Sequence, residues 1–349
     1  MLNLKAKKKA PNKLIVFLLA KKWFLIVLAV IILILWIFKW ANYYPNKIDL
    51  KPRADFFGVT FSTKFCNELG LDWQEVYLAI LDELKVKYIR LPIYWDEIEK
   101  QEGVFDFSKY DYLIDEGEKR GAKFIISVGR RVPRWPECHS PAWLNYKSEI
   151  GARVATLTEI RTIVERYRER NSVYYWQVEN EPFLSTFGVC PPLDVDFLKQ
   201  EFDLVHSLDG RPVIITGSGE LSSWQKESQI GDIFGNTLYR VVYNNWFGFV
   251  KYPFPTFYYS LKARLANLEN NRIMAMELQA EPWVPQGNMT QLSTQQIDKT
   301  MSISQFKANL QYAINLNFRQ TYLWGVEWWY WQKKYGNPEY WWIAADLFK

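Results

Sequence analysis

The sequence predicts a parallel α/β fold closed as a (β/α)8 TIM barrel, and three observations carry that reading. From about residue 55, strand and helix patterns alternate eight times, the signature of a parallel sheet with crossover helices. Two of the strand runs open on unbroken apolar or aromatic residues, 174–176 and 273–276, as in strands covered on both faces. The first strand-to-helix turn, Ser62-Thr63-Lys64-Phe65, has no glycine, whereas an open nucleotide-binding sheet would place a glycine-rich turn there. A chain of 349 residues accommodates one such barrel together with an N-terminal extension.

In chain order, residues 56–62 form the first strand and 73–87 the amphipathic helix that returns from it. Residues 88–92 are the second strand, 110–120 its helix and 123–129 the third strand. A long loop with Arg130, Trp135, Cys138, His139 and Trp143 precedes a helix over 158–170. The fourth strand, 174–181, stops at Asn180-Glu181-Pro182, because proline cannot continue a ladder. A helix follows over 195–208, strand five over 212–217, a weaker strand six over 232–239 and a helix over 257–268. Residues 273–277 are strand seven, 294–315 a single helix and 321–328 strand eight, and the segment 338–347 closes the ring.

The first forty residues follow a different rule. They hold eight lysines and no acid, and residues 23–38 are apolar without interruption. From Trp23 to Trp40, a rise of about 1.5 Å per residue gives roughly 27 Å, close to the ~30 Å of a bilayer's hydrocarbon. Lysines before this run place the N-terminus in the cytoplasm. The aromatic stretch from Trp40 to Tyr44 suits the membrane interface, and no small-residue cleavage site follows. The expected organisation is a basic cytoplasmic segment (1–22), a transmembrane signal anchor (23–40), a linker (41–54) and a catalytic domain (55–349). The expected location is the cell membrane, single-pass, with a monomeric catalytic domain outside it.

Composition excludes several function classes. Removing the eight N-terminal lysines from the net charge of +5 leaves the remainder at −3, which argues against nucleic-acid binding. With two histidines (His139 and His206) and three cysteines in no CxxC spacing, neither a metal centre nor any other cofactor is expected. Outside the membrane one disulfide can form, and Cys138 with Cys190, on neighbouring loops of one barrel face, is the favoured pair. Aromatic residues make up 17% of the chain, more than a core uses, which favours a ligand with flat apolar faces such as a sugar.

The chemistry concentrates at the C-terminal ends of strands, where barrels of this kind place their active residues. Arg90, Glu181 and Glu277 lie there. Strands four and seven face each other across an eight-stranded barrel, so two glutamates meet over its mouth, as a two-carboxylate glycosidase requires. Arg90 can hold one of them ionised, while a drier aromatic setting raises the other's pKa. Glu179 alternates with Glu181 and should point away from the lumen. Glu281, followed by Pro282, is the alternative to Glu277.

Asn180-Glu181-Pro182 on strand four with Glu277 on strand seven resembles the clan A glycoside hydrolases, a group that includes the family 5 cellulases. The resemblance covers roughly residues 55–345. It implies that Glu181 is the acid/base, Asn180 the ligand of the sugar 2-hydroxyl, Glu277 the nucleophile and Arg90 the arginine beside it. It also implies that Trp324 floors the sugar subsite and that Tyr239 or Tyr243 touches the nucleophile. His139, in the long third loop, is expected to reach substrate, and at least one of Trp328, Trp329 and Trp331, Trp328 foremost, to line the glycan groove. His206 is expected to be structural. The histidines that family 5 cellulases carry on strand three and near strand six are missing here. The implied activity is retaining hydrolysis of a β-linked oligo- or polysaccharide. An inactive glycan-binding barrel and a transglycosylase are the alternative readings of the same residues.

Overall fold

The structure is a computed structural model that describes residues 13–41 and 49–349, with side chains of the first segment described over 21–36. It divides into two units, residues 1–47 with 253–255 and the remainder. In the first unit Lys13–Ala41 is one 29-residue helix, and its described side chains are all exposed. Among the described residues no helix is long and apolar enough to cross a membrane. The basic residues 1–12, the belt residues after Ala41 and the linker up to residue 48 lie outside the described residues.

The second unit contains a closed barrel of eight parallel strands. These are β1 (Phe57–Thr60), β2 (Tyr88–Pro92), β3 (Lys123–Val128), β4 (Val173–Val178), β5 (Val213–Gly217), β6 (Ile233–Leu238), β7 (Ile273–Gln279) and β8 (Thr321–Trp324). Each strand pairs with its chain neighbour, and β8 closes on β1 through Phe57 opposite Thr321 and Thr60 opposite Trp324. Ile125, Tyr175, Ile214, Ile233, Met274, Met276 and Tyr322 fill the interior and exclude water from it. Gly58 makes room for this packing, because a Cβ there would come within 2.7 Å of the Tyr322 ring and 2.6 Å of the Tyr88 carbonyl.

Several boundaries differ from those predicted, each for a local reason. The helix over 294–315 is two helices, Thr294–Met301 and Ile303–Leu316, because Ser302 adopts an extended conformation and caps the second through the Gln305 amide. The helix after the third loop begins nine residues early, at Glu149, where the Ser148 side chain accepts from the Gly151 amide. Strand eight ends at Trp324: Gly325, at φ 125°, turns the chain into the helix Val326–Lys334. Trp328 therefore lies on that helix, fully buried with its ring 4.6 Å from Tyr340, and does not line the groove. A hairpin, Val241–Asn244 with Gly248–Lys251, follows β6 and was not anticipated.

Candidate active site

At the top of β4 the chain leaves the ladder after Val178, and the next three residues fold back over the barrel. Glu179 and Glu181 both have positive φ, 55° and 44°, a conformation costing a non-glycine residue about 1–3 kcal/mol. The double kink sends the two carboxyls apart. Glu179 turns outward, accepting from the Arg130 and Arg131 amides at 2.8 and 2.7 Å. That approach needs Gly129, where a Cβ would lie 2.4 Å from the Glu179 Oε1. Glu181 turns inward and accepts from the Thr237 hydroxyl at 3.0 Å, while its own amide donates to Thr216 at 2.8 Å.

A register shift between β6 and β7 sets Thr237 opposite Glu277, which brings the two carboxyls to the same region of the mouth. Both oxygens of Glu277 are engaged: Arg90 donates to Oε1 at 3.0 Å and the Tyr239 hydroxyl to Oε2 at 2.9 Å. Arg90 is fully buried and spends its remaining donors on Gln177 (2.8 Å), the Met276 carbonyl (3.1 Å) and the Asn180 Oδ1 (2.7 Å). A planar guanidinium can reach all four acceptors at once. Asn180 in turn aims its amide nitrogen at Glu277, at 3.5 Å. Burial, then the charges of Glu277 and Glu137, push the Glu181 carboxyl well above the ordinary carboxylate range.

Of the sequence-predicted residues, the structure gathers Arg90, Asn180, Glu181, Tyr239 and Glu277 into this one constellation. Of the two candidate tyrosines, Tyr239 reaches Glu277, while Tyr243 packs on Phe249 in the hairpin. Glu281 is buried nearby but tied to Arg134 at 2.6 and 3.2 Å. Trp324 stands at the end of β8 with its ring nearly buried and the Arg134 guanidinium 4.0 Å from the ring centroid. His139 is buried within the third loop. One ring nitrogen lies 3.0 Å from the Arg134 carbonyl and the other 3.0 Å from the Lys64 ammonium, and burial with that neighbouring charge lowers it to about 4. His206 is on a surface helix beside Asp232. Among the described residues no cluster of His, Cys, Asp and Glu could hold a metal ion.

Two participants went unread in the sequence, and both belong to the third loop. Glu137, at φ 75°, inserts a third carboxyl that accepts from the Asn180 amide nitrogen at 2.9 Å, and burial and the Glu277 charge push it up to about 8. Arg134, at φ 93°, lies between the Phe65 and Trp324 rings and pairs with Glu281 and Glu327. The available signal was the length of the loop itself, since long unstructured loops in a compact domain are commonly functional. The Cys138–Cys190 disulfide forms, with Cα atoms 5.3 Å apart, and joins this loop to the one after β4.

A family model described as Cellulase (glycosyl hydrolase family 5) matches residues 54–246, more than half of the chain. Beta-galactosidase BgaA of Clostridium cellulovorans is 23% identical over 190 residues, 48% of this chain and 29% of that protein. The probable mannan endo-1,4-beta-mannosidase A of Aspergillus clavatus is 25% identical over 129 residues, 33% of each chain. The chain thus spans about a third of the length of these curated relatives. Among solved structures, a GH5_18 protein from Streptomyces cattleya in complex with GlcNAc superposes with a TM-score of 0.55 at 14% identity, covering 78% of this chain and 71% of that one, a likeness of fold.

Proposed function

Because the chain belongs to the cellulase family, glycosyl hydrolase family 5, we propose that it hydrolyses a β-linked glycoside with retention of configuration. Glu277 is the nucleophile and Glu181 the acid/base. A Glu277 oxygen attacks the anomeric carbon as the bond to the leaving oxygen breaks, and that oxygen takes the Glu181 proton. Water then attacks the glycosyl ester, giving its proton to Glu181 and releasing the Glu277 carboxylate. Arg90 and Tyr239 orient the nucleophile through one oxygen each, and Asn180 faces the substituents next to the anomeric carbon. The single observation that carries this reading is the contrast between the two carboxyls. Glu277 accepts from Arg90 on one oxygen and from Tyr239 on the other, while burial and the Glu277 and Glu137 charges push the Glu181 carboxyl well above the ordinary carboxylate range, which favours a proton donor there.

The relatives, whose names specify β-galactosides and a β-1,4-mannan, support a β-linked glycoside as the substrate class. The apolar run over residues 23–38, with lysines on its N-terminal side, supports an anchor in the membrane with the catalytic domain (55–349) outside the cytoplasm. The disulfide between Cys138 and Cys190 accords with an oxidising compartment.

The test assays the wild type, Glu277→Gln and Glu181→Gln on β-aryl glycosides and β-linked polysaccharides. Loss of the nucleophile should cost on the order of 10⁴-fold or more in turnover. Glu181→Gln should keep activity on substrates with an activated leaving group and be rescued by azide, yielding a β-glycosyl azide. An inverted product, or full activity in Glu277→Gln, rejects the mechanism. Resistance of the full-length protein to alkaline extraction from membranes tests the anchor.

A further inference from the structure

The connection between β6 and β7 carries two exposed apolar features that the two-carboxylate chemistry does not use. The first is the tip of the hairpin, where Trp246 and Phe247 are 89% and 81% exposed. The Asn244 Oδ1 accepts from the amides of both, at 2.8 and 3.3 Å, and Gly248 follows at φ 71°, so the turn is fixed with both rings in solvent. The second is the helix Thr256–Leu265, which the hairpin joins through residues 252–255. Its core side is Tyr259 and Ala263. Phe257, Leu261 and Leu265 recur every four residues on the other side, each more than half exposed. A helix apolar on both sides has a second apolar neighbour.

Charge and chain length identify that neighbour. Residues 240–268 hold four cations, Arg240, Lys251, Lys262 and Arg264, and no acid, whereas residues 41–349 together stand at −3. Arg240 is buried and Lys262 is turned into the Gly219 and Ser222 carbonyls, while Lys251 and Arg264 stand exposed. Exposed tryptophan and phenylalanine interspersed with lysine and arginine suit the headgroup layer of a bilayer with anionic lipids. The chain also enters the barrel next to this flank. The Asp49 amide donates to Gln311 on the helix Ile303–Leu316, at 3.0 Å, and Tyr312 of that helix meets Tyr259 with ring centroids 6.1 Å apart. Phe38, the last residue of the apolar run, precedes Asp49 by eleven residues, a reach of at most about 37 Å when fully extended. With residues 23–38 in a bilayer, the flank lies close to its surface.

We propose that the Trp246–Phe247 tip and the stripe of Phe257, Leu261 and Leu265 rest in the headgroup layer of an anionic lipid bilayer. The proposal rests on the membrane reading above, which supplies the bilayer, and adds the surface by which the catalytic domain docks on it. Crossover helices run alongside the strands, so this contact lays the barrel axis roughly along the bilayer and turns the mouth sideways over it. Tyr239, whose hydroxyl donates to Glu277, stands two residues before the hairpin, so the docked edge of the mouth is the edge beside the nucleophile.

The experiment reconstitutes the full-length protein in vesicles of equal parts phosphatidylcholine and phosphatidylglycerol, and in phosphatidylcholine alone. A polarity-sensitive nitrobenzoxadiazole label is placed at Trp246→Cys, at Leu261→Cys or, as control, at Val104→Cys, while Cys66 is buried and stays unlabelled. Val104 is exposed after β2, which stands opposite β6 in the ring. Thermal unfolding that matches the wild type shows that the labelled variants fold. Labels at 246 and 261 should shift to the blue and lose about half their intensity or more to lipids spin-labelled near the headgroup, while the label at 104 does neither. The shift should be larger with phosphatidylglycerol present. Labels at 246 and 261 that match the one at 104, or that ignore phosphatidylglycerol, overturn the proposal. So does a blue shift in detergent that grows with protein concentration, the mark of a face paired with a second copy. If alkaline extraction releases the chain, the anchor reading fails, and the flank is tested by flotation of the unanchored chain with preformed vesicles of the same two compositions. Flotation with phosphatidylglycerol vesicles that is lost in Trp246→Ser/Leu261→Ser upholds the docking surface. Flotation that is absent, or unmoved by the substitutions, overturns it.

Discussion

Replacing Glu137 by Gln should change how the barrel's stability depends on pH, and the structure sets the size of the effect. The Glu137 carboxyl is pushed up to about 8 from an ordinary 4.5, first by burial and then by the Glu277 charge. The hydrogen bonds from the Asn180 amide nitrogen, 2.9 Å to Glu137 and 3.5 Å to Glu277, keep the two carboxyls within about 6 Å of each other. Two charges at that separation repel by about 3 kcal/mol at an effective dielectric of ~20. The full displacement, at about 1.4 kcal/mol per pK unit, corresponds to a cost on the order of 4–5 kcal/mol for ionising Glu137 in the folded protein. Since the folded-state pKa lies above the unfolded one, the fold binds the proton more tightly. The stability that this proton confers is complete below about pH 4.5 and is lost as pH rises through about 8. Gln cannot ionise and still accepts from Asn180. Denaturant unfolding from pH 5 to pH 9 should therefore show wild type and variant nearly equal at the acid end, with the variant more stable by several kcal/mol at the alkaline end. Parallel curves for the two proteins would refute the reasoning.

Arg90→Lys should lower kcat on the order of 10²-fold and cost about 3 kcal/mol of stability. An ammonium cannot span Gln177, Met276, Asn180 and Glu277 together, and it leaves buried acceptors unpaired. Steady-state kinetics with denaturant melts measure both, and full activity in the variant would count against a positioning role. Trp328→Phe should leave KM unchanged while costing about 1–3 kcal/mol, because its ring is core, packed on Tyr340, and the smaller ring leaves a cavity there. A raised KM at unchanged stability would return Trp328 to the groove.

The barrel was legible because its strands are short apolar runs separated by amphipathic helices, and that periodicity survives folding. Glu181 and Glu277 were legible because each is a carboxylate terminating such a run, where burial without a task is costly. Arg134 and Glu137 were not, since nothing periodic governs a loop and both sit in positive-φ turns that sequence does not announce. Trp328 misled because it continues the apolar run of strand eight, and only the turn at Gly325 moves it onto a helix.

Local chemistry was therefore enough to determine which elements form, in what order, and which acids stand at the strand ends. Their roles depended on distances that the closed barrel creates. Residues as far apart in the chain as Arg90, Glu137, Asn180 and Glu277 are joined there by direct hydrogen bonds. Burial and like charge then separate two chemically identical glutamates, one pushed well above the ordinary carboxylate range and the other accepting on both oxygens. A charge's environment is set by whatever packs around it, and only folding brings those neighbours together.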